Sequence, residues 1–329
     1  MRQNQLGRSA VRVSELSFGG AGIGNLFTPV TDHQAEQAVT AAWDAGVRYF
    51  DTAPHYGLGL SERRLGAALR DRPRDEYTLS TKVGRLLEPA DTDGTDLAVG
   101  FAAPATHRRV WDFSVEGVRR SLADSLERLG LDRIDIAYLH DPDDHAEQAL
   151  EEAYPELERL RGEGVLGAIG VGMNQAELLT RFIRETDIDA VLLAGRYSLL
   201  DQRGLVDLLP LAADRGVGVV IGGVFNSGLL ADPRPGATFD YAAAPDDLVA
   251  RALELKTVCE RYGVPLRAAA LRFPFGHPAV MSVLVGTRSA AEAEDAAALL
   301  NRPVPDALWA EIKELGLLSP DVPLPAQER

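Results

Sequence analysis

The feature that most limits what this chain can fold into is a repeating alternation. Short apolar runs rich in β-branched residues recur eight times, and longer segments of helical periodicity follow them. The runs cover 16–20, 47–51, 78–82, 134–139, 166–171, 190–193, 217–221 and 281–285. The helical segments cover 32–45, 61–70, 114–129, 147–161, 175–184, 202–214, 247–262 and 290–300. Strands separated by crossover helices pair in parallel, and a parallel sheet must be covered on its outer face. Eight such units in 329 residues suit one closed (β/α)8 TIM barrel, a single domain over 1–329.

End signals agree with these boundaries. Thr31-Asp32, Ser61-Glu62 and Ser114 with Glu116 supply caps or first-turn carboxylates, and Gly46, Gly130, Gly164, Gly216 and Gly263 stop helices. A doubly wound open sheet is the other fold to weigh. It needs a glycine fingerprint that opens a helix after the first strand, and Gly19-Gly20-Ala21-Gly22-Ile23-Gly24 runs instead into Asn25-Leu26-Phe27-Thr28-Pro29. Residues 6–13 alternate around a glycine turn and can form a hairpin capping one barrel mouth. An extra C-terminal helix is expected over 303–317, and the longest irregular stretch, 84–113, has the length of an active-site loop.

Composition enters through what it excludes. A formal charge of −15 argues against nucleic-acid or anionic-membrane partners, which require clustered Lys and Arg. No window approaches the roughly 20 apolar residues of a membrane span, and the amino terminus lacks a signal-peptide core. Cys259 is the only cysteine, so no internal disulfide or Cys-rich zinc site forms, in keeping with a cytoplasmic address. It lies on a helix among Leu255, Val258 and Tyr262, where packing is the natural role. The histidines lack ligand spacing, so no metal is expected. Oligomeric state stays open.

Barrel enzymes of this type carry their active site at the C-terminal ends of the strands. Asp51 ends the second run, Tyr56 follows it, Lys82 ends the third and His140 follows the fourth. Tyrosine is a poor acid or base at neutral pH unless a cation stabilises its anion. Lys82 can provide that cation, Asp51 can hold it, and His140 can fix a substrate oxygen. Taken singly, each has an ordinary reading: a cap, a packing ring, a solvated strand end, a loop histidine. Their placement at three consecutive strand ends favours a proton-transfer site.

The motifs carrying these residues are Asp51-Thr-Ala-Pro-His-Tyr-Gly, Gly59-Leu-Ser-Glu-Arg-Arg-Leu-Gly, Ser80-Thr-Lys-Val-Gly and Ser125-Leu-Glu-Arg-Leu-Gly-Leu-Asp-Arg-Ile-Asp. Together they resemble the aldo-keto reductase family over most of the chain. The resemblance implies a catalytic tetrad of Asp51, Tyr56, Lys82 and His140, with NAD or NADP as hydride carrier and a small-molecule sugar or carbonyl as substrate. Lys82-Val-Gly-Arg-Leu-Leu, Trp111-Asp-Phe-Ser, His140-Asp-Pro-Asp-Asp-His and Gly222-Gly-Val-Phe-Asn-Ser-Gly-Leu-Leu resemble the aldose 1-dehydrogenase branch, which implies oxidation at C1 to a lactone. Pyridoxal 4-dehydrogenases look similar.

The same resemblance implies cofactor contacts at Gly20, Asn174, Gly222, Phe225, Asn226, Gly228, Gly286, Arg288 and Glu292, and substrate contacts at His55 and Trp111. Ala194 stands where many members place a glutamine for the nicotinamide amide, and Gly222 where many place a stacking tyrosine, so Asn174 and backbone groups are expected to hold the ring. Asn174 can equally be a helix cap, Trp111 a loop anchor and Glu292 a first-turn carboxylate. Glu292 disfavours a 2′-phosphate and Arg288 favours it; NAD is expected to serve at least as well as NADP. Competing functions are a pyridoxal or general carbonyl reductase, a Schiff-base aldolase acting through Lys82, and a low-turnover cofactor-sensing regulator.

Overall fold

The computed structural model describes residues 1–90, 94–240 and 242–326. Eight parallel strands close into a barrel: β1 (Leu16–Gly19), β2 (Tyr49–Asp51), β3 (Thr78–Val83), β4 (Ile136–His140), β5 (Ala168–Met173), β6 (Ala190–Ala194), β7 (Gly218–Gly222) and β8 (Val280–Gly286). Each pairs with the next, and β8 returns to β1. The open-sheet alternative is thereby excluded.

Side-chain alternation along the strands sorts the core into two layers. Phe50, Leu79, Ala137, Ile169, Val191 and Val219 face outward into the apolar layer beneath the helices. Tyr49, Ile136, Tyr138, Ala168, Ala190, Leu192 and Val220 pack with one another inside the barrel, and Leu6 and Val13 of the amino-terminal hairpin join them. That hairpin pairs Gln3–Gln5 with Arg12–Ser14 and plugs the mouth where the strands begin. Gly7 makes its turn at φ 57°, and a Cβ there would stand 2.3 Å from the Asp189 carbonyl, so no other residue fits.

The other helix and end signals have mixed outcomes. Thr31 forms a capping box with Gln34, Ser114 caps its helix onto Gly117, and all five stop glycines take positive φ. Ser61 is not a cap: Gly59 holds that position, and the Ser61 hydroxyl bonds Gly20 O at 2.7 Å and Thr52 Oγ1 at 2.8 Å. The helix expected over 147–161 contains a π-turn, Ala149–Ala153, just before Pro155, whose missing N–H cannot close an α turn. Asp306–Glu314 is the extra C-terminal helix.

Two elements differ more. Leu266–Arg272 is a helix where only connecting chain is expected. The stretch 84–113 is no simple loop but an antiparallel arm of Arg85–Pro89 on His107–Trp111, with a short 3-10 turn, Asp96–Val99, toward its tip; residues 91–93 lie outside the described residues. The arm's tip pairs with the segment after β1: Phe27 N donates to Gly100 O at 2.7 Å and Ala102 N to Asn25 O at 2.9 Å. Together they build a wall over the C-terminal mouth.

Candidate active site

Strand register brings the first charges together. Asp51 lies opposite Ser80 across β2 and β3, and Lys82 stands two residues further on the same face of β3. Lys82 Nζ donates to Asp51 Oδ2 at 2.6 Å and to Thr52 O at 2.9 Å, while Ser80 Oγ donates to Asp51 Oδ1 at 2.6 Å. All three side chains are buried. Burial alone would push the Lys82 ammonium toward neutrality, but Asp51 and Tyr56 outweigh it and its pKa lies above the ordinary lysine value. A lysine held charged in this way is a poor nucleophile, which counts against Schiff-base chemistry.

Tyr56 follows β2 on a tight turn, with Lys82 Nζ 4.7 Å from its ring centroid. Burial raises its pKa above 10.0, while Lys82 works in the opposite direction by charge and hydrogen bonding. His140, the last residue of β4, sets its ring edge-on to Tyr56 at 5.9 Å, and His55 stands edge-on to His140 at 5.7 Å. Burial holds His140 well below the usual histidine range, with Arg85, Lys82 and Arg109 adding repulsion; burial and the same three cations bring His55 down to about 2. Both rings are neutral near pH 7.

These groups lie along a cavity of about 610 Å³, walled by Leu26, Phe27, Val99 and Phe101 on the arm side and by Met173, Asn174, Leu192 and Ala194 on the other. Asn174 is not the cap of the helix Ala176–Glu185; Gln175 takes that place, leaving Asn174 beside Ala194 at the cavity. Trp111 does not line the cavity. Its ring stacks on Phe113 at 6.0 Å, packs against His145 and carries the Arg85 guanidinium at 4.2 Å. Arg85 in turn pairs with Asp141, which does line the cavity. Arg109 clasps Asp96 with two nitrogens and donates to His55 O at 2.9 Å, tying the arm to the turn that bears Tyr56.

A second groove, of about 450 Å³, adjoins the first along Ala21, Leu26 and Phe27. It contains Phe225, Asn226, Gly228, Gly286, Arg288 and Glu292 among its lining residues. Asn226 turns its side chain into the protein, accepting from Ser198 Oγ at 2.6 Å, so only its backbone serves the groove. Gly20 lines neither space: a Cβ there would meet Ser61 Oγ at 2.6 Å and Asp51 O at 2.7 Å, which makes it a packing glycine. Gly222 ends β7 without lining either. Thr287 Oγ1, buried at the groove, has no hydrogen-bond partner among the described residues, a polar atom left for a ligand.

The sequence model of the aldo/keto reductase family matches residues 15–316. The chain belongs to the aldo-keto reductase family. A D-threo-aldose 1-dehydrogenase from a Pseudomonas species is 46% identical over 94% of this chain and 96% of its own length. A pyridoxal 4-dehydrogenase from Microbacterium luteolum is 41% identical, covering 95% of this chain and 97% of its own. Among solved structures, an aldo-keto reductase from Bacillus halodurans in its holo form superposes with a TM-score of 0.76 at 27% identity, covering 96% of both chains. This aldo-keto reductase is therefore an NAD(P)-dependent oxidoreductase acting on a small carbonyl or sugar.

Sequence reasoning missed several residues of the site. Ser80, Arg85, Phe101, Arg109 and Asp141 all shape it; Ser80 and Arg85 lie in motifs with Lys82, and Asp141 directly follows His140, whereas Phe101 and Arg109 carried no positional signal. Arg85 and Asp141 are 56 residues apart in sequence. Among the described residues no helix is long and apolar enough to cross a membrane.

Proposed function

We propose that this aldo-keto reductase oxidises aldoses at C1 to the lactone. The observation that carries the reading is the placing of Tyr56, Lys82 and His140 on one cavity that adjoins a separate groove suited to a dinucleotide. The whole-length similarity to a D-threo-aldose 1-dehydrogenase supports the choice of substrate.

Asn174, the backbone of Phe225–Gly228, Thr287 and Arg288 would hold the dinucleotide. When bound, it supplies the hydride acceptor in oxidation or donor in reduction. In the oxidation direction Tyr56 enters as the tyrosinate and takes the proton of the C1 hydroxyl onto its phenolic oxygen as the C1 hydrogen leaves with its electron pair, so that a C=O bond forms. Lys82 stabilises the tyrosinate by charge, and Asp51 and Ser80 keep that charge in place. Neutral His140 orients the reacting oxygen by a hydrogen bond. Run backwards, the same groups protonate a carbonyl oxygen.

The test is a panel of aldoses, pyridoxal and hydroxyl-free aldehydes followed by absorbance of the reduced nicotinamide. An aldose with the highest kcat/KM supports the reading. A higher value for pyridoxal or for simple aldehydes assigns the enzyme to those substrates instead, and oxidation of one equivalent of cofactor without further turnover would point to a sensing role.

A further inference from the structure

Asp141 holds an unusual position between His140 and the arm. Its backbone takes φ 43°, a left-handed conformation that few residues with a side chain adopt. Its N–H donates to Gly172 O at 3.0 Å, which pins the turn to the end of β5. Backbone strain of this kind persists where surrounding contacts impose it, and it gathers at ligand sites. Here those contacts aim a carboxylate at the substrate cavity.

The two carboxylate oxygens are used unequally. Oδ2 accepts from Arg85 and lies 3.7 Å from His140 Nε2. Among the described residues nothing donates to Oδ1. The pair is fixed from behind, because the Arg85 guanidinium rests on the Trp111 ring at 4.2 Å. The side chain is 31% exposed and Asp141 lines the cavity, so its carboxylate keeps acceptor capacity open to a ligand there. A hydroxyl donating to Asp141 would sit beside the oxygen that His140 orients, on a carbon adjacent to the reacting one.

We propose that Asp141 is the specificity residue of this enzyme: its carboxylate accepts a hydrogen bond from a substrate hydroxyl neighbouring the reacting carbon and so selects polyhydroxylated substrates over simple aldehydes. The proposal rests on the aldose reading and deepens it. A site that satisfies a carboxylate with a substrate hydroxyl discriminates strongly against an analogue lacking that group, because the acceptor is then left unpaired.

The test is Asp141→Asn, which keeps the size of the side chain and tolerates left-handed backbone. With an aldose and propanal as substrates, the ratio of their kcat/KM values should fall at least ~10-fold, mainly through KM for the aldose. A 1,5-anhydroalditol, a cyclic alditol derivative that keeps the ring hydroxyls but has none at C1, should inhibit the wild type competitively and the variant at least ~10-fold more weakly. Asp141→Gly relieves the backbone and should shift the ratio in the same direction, which guards against misfolding of the first variant. An unchanged ratio, or equal losses on both substrates, would overturn the proposal. Wild type that turns over pyridoxal but no aldose would defeat the aldose reading alone. In that case anhydroalditol inhibition weakened by Asp141→Asn supports the proposal, and absent or unaltered inhibition overturns it.

Discussion

The Lys82 ammonium stands 4.7 Å from the centroid of the Tyr56 ring, while Asp51 and the Thr52 carbonyl take its hydrogen bonds. The lysine is thus anchored by one anion and placed to stabilise a second, the Tyr56 tyrosinate that takes up the substrate proton in oxidation and is left behind in reduction. Either member of the Asp51–Lys82 pair is a poor target for mutation, since removing one partner of a buried ion pair commonly costs about 3–5 kcal/mol. Tyr56→Phe removes the hydroxyl alone. Turnover should fall at least ~100-fold, as loss of general acid-base catalysis usually does. Fluorescence titration with the dinucleotide should give an affinity within about threefold of wild type, roughly RT ln 3 or ~0.7 kcal/mol. Near-normal turnover would remove Tyr56 from the proton path.

Acid should destabilise this fold early. Histidine in an unfolded chain titrates near 6.5, whereas burial and nearby cations bring His55 to about 2 and hold His140 well below its usual value. Below pH ~6.5 the unfolded state therefore binds protons that the native state refuses, and unfolding free energy falls as pH falls. Each histidine adds a slope approaching ~1.4 kcal/mol per pH unit. Urea melts between pH 7.5 and 5.0 should record that loss, and His55→Gln should reduce the slope by about one proton. An identical slope in the variant would show that His55 titrates alike in the native and unfolded states.

Much of the barrel and the Asp51, Tyr56, Lys82 and His140 constellation was legible before any coordinates. Strand alternation, capping residues and stop glycines act locally, and a motif reports residues within a few positions of one another. What escaped depends on long-range pairing or on uniform burial. The arm strand His107–Trp111 is rich in His and Arg, because its partners are Glu88, Asp96 and the His55 carbonyl rather than an apolar layer, so no strand-like alternation shows. The helix Leu266–Arg272 has Leu266 and Ala268–Leu271 buried, which erases an amphipathic period. Ser61 carries the composition of a cap, yet its hydroxyl is needed by Gly20 and Thr52 from other loops.

Trp111, by sequence either a substrate contact or a loop anchor, carries the Arg85 guanidinium on its ring. Trp111→Ala should loosen the Arg85–Asp141 pair without touching the proton path. A cation–π contact at a partly exposed site contributes about 0.5–1 kcal/mol, so KM for the aldose should rise roughly two- to fivefold at nearly constant kcat. Steady-state kinetics on the best aldose checks this. A rise as large as that of Asp141→Asn would mean that the indole itself touches the sugar.

Cofactor choice turns on the groove after β8. Ser289 caps the helix Ala290–Leu300 by accepting from Glu292 N, so Glu292 is a first-turn carboxylate as well as a groove residue. Its two oxygens accept from Arg288, one from the backbone N–H at 2.8 Å and one from the guanidinium at 2.9 Å. The one cation of this segment that could clasp a 2′-phosphate is therefore already paired, and a phosphate would have to compete with an adjacent carboxylate. On these grounds NAD should serve at least as well as NADP. Glu292→Gln removes the competing charge and should move the ratio of kcat/KM values toward NADP; Glu292→Arg adds a second cation and should move it further, by at least ~10-fold, equivalent to ~1.4 kcal/mol. Glu292→Gln only loses the favourable carboxylate–dipole interaction, whereas Glu292→Arg sets a cation at the helix N-terminus, so thermal melts of both variants separate helix destabilisation from cofactor choice. Wild type preferring NADP by tenfold or more would mean that Arg288 leaves Glu292 when the dinucleotide binds, and the order of the two variants would then lose its basis.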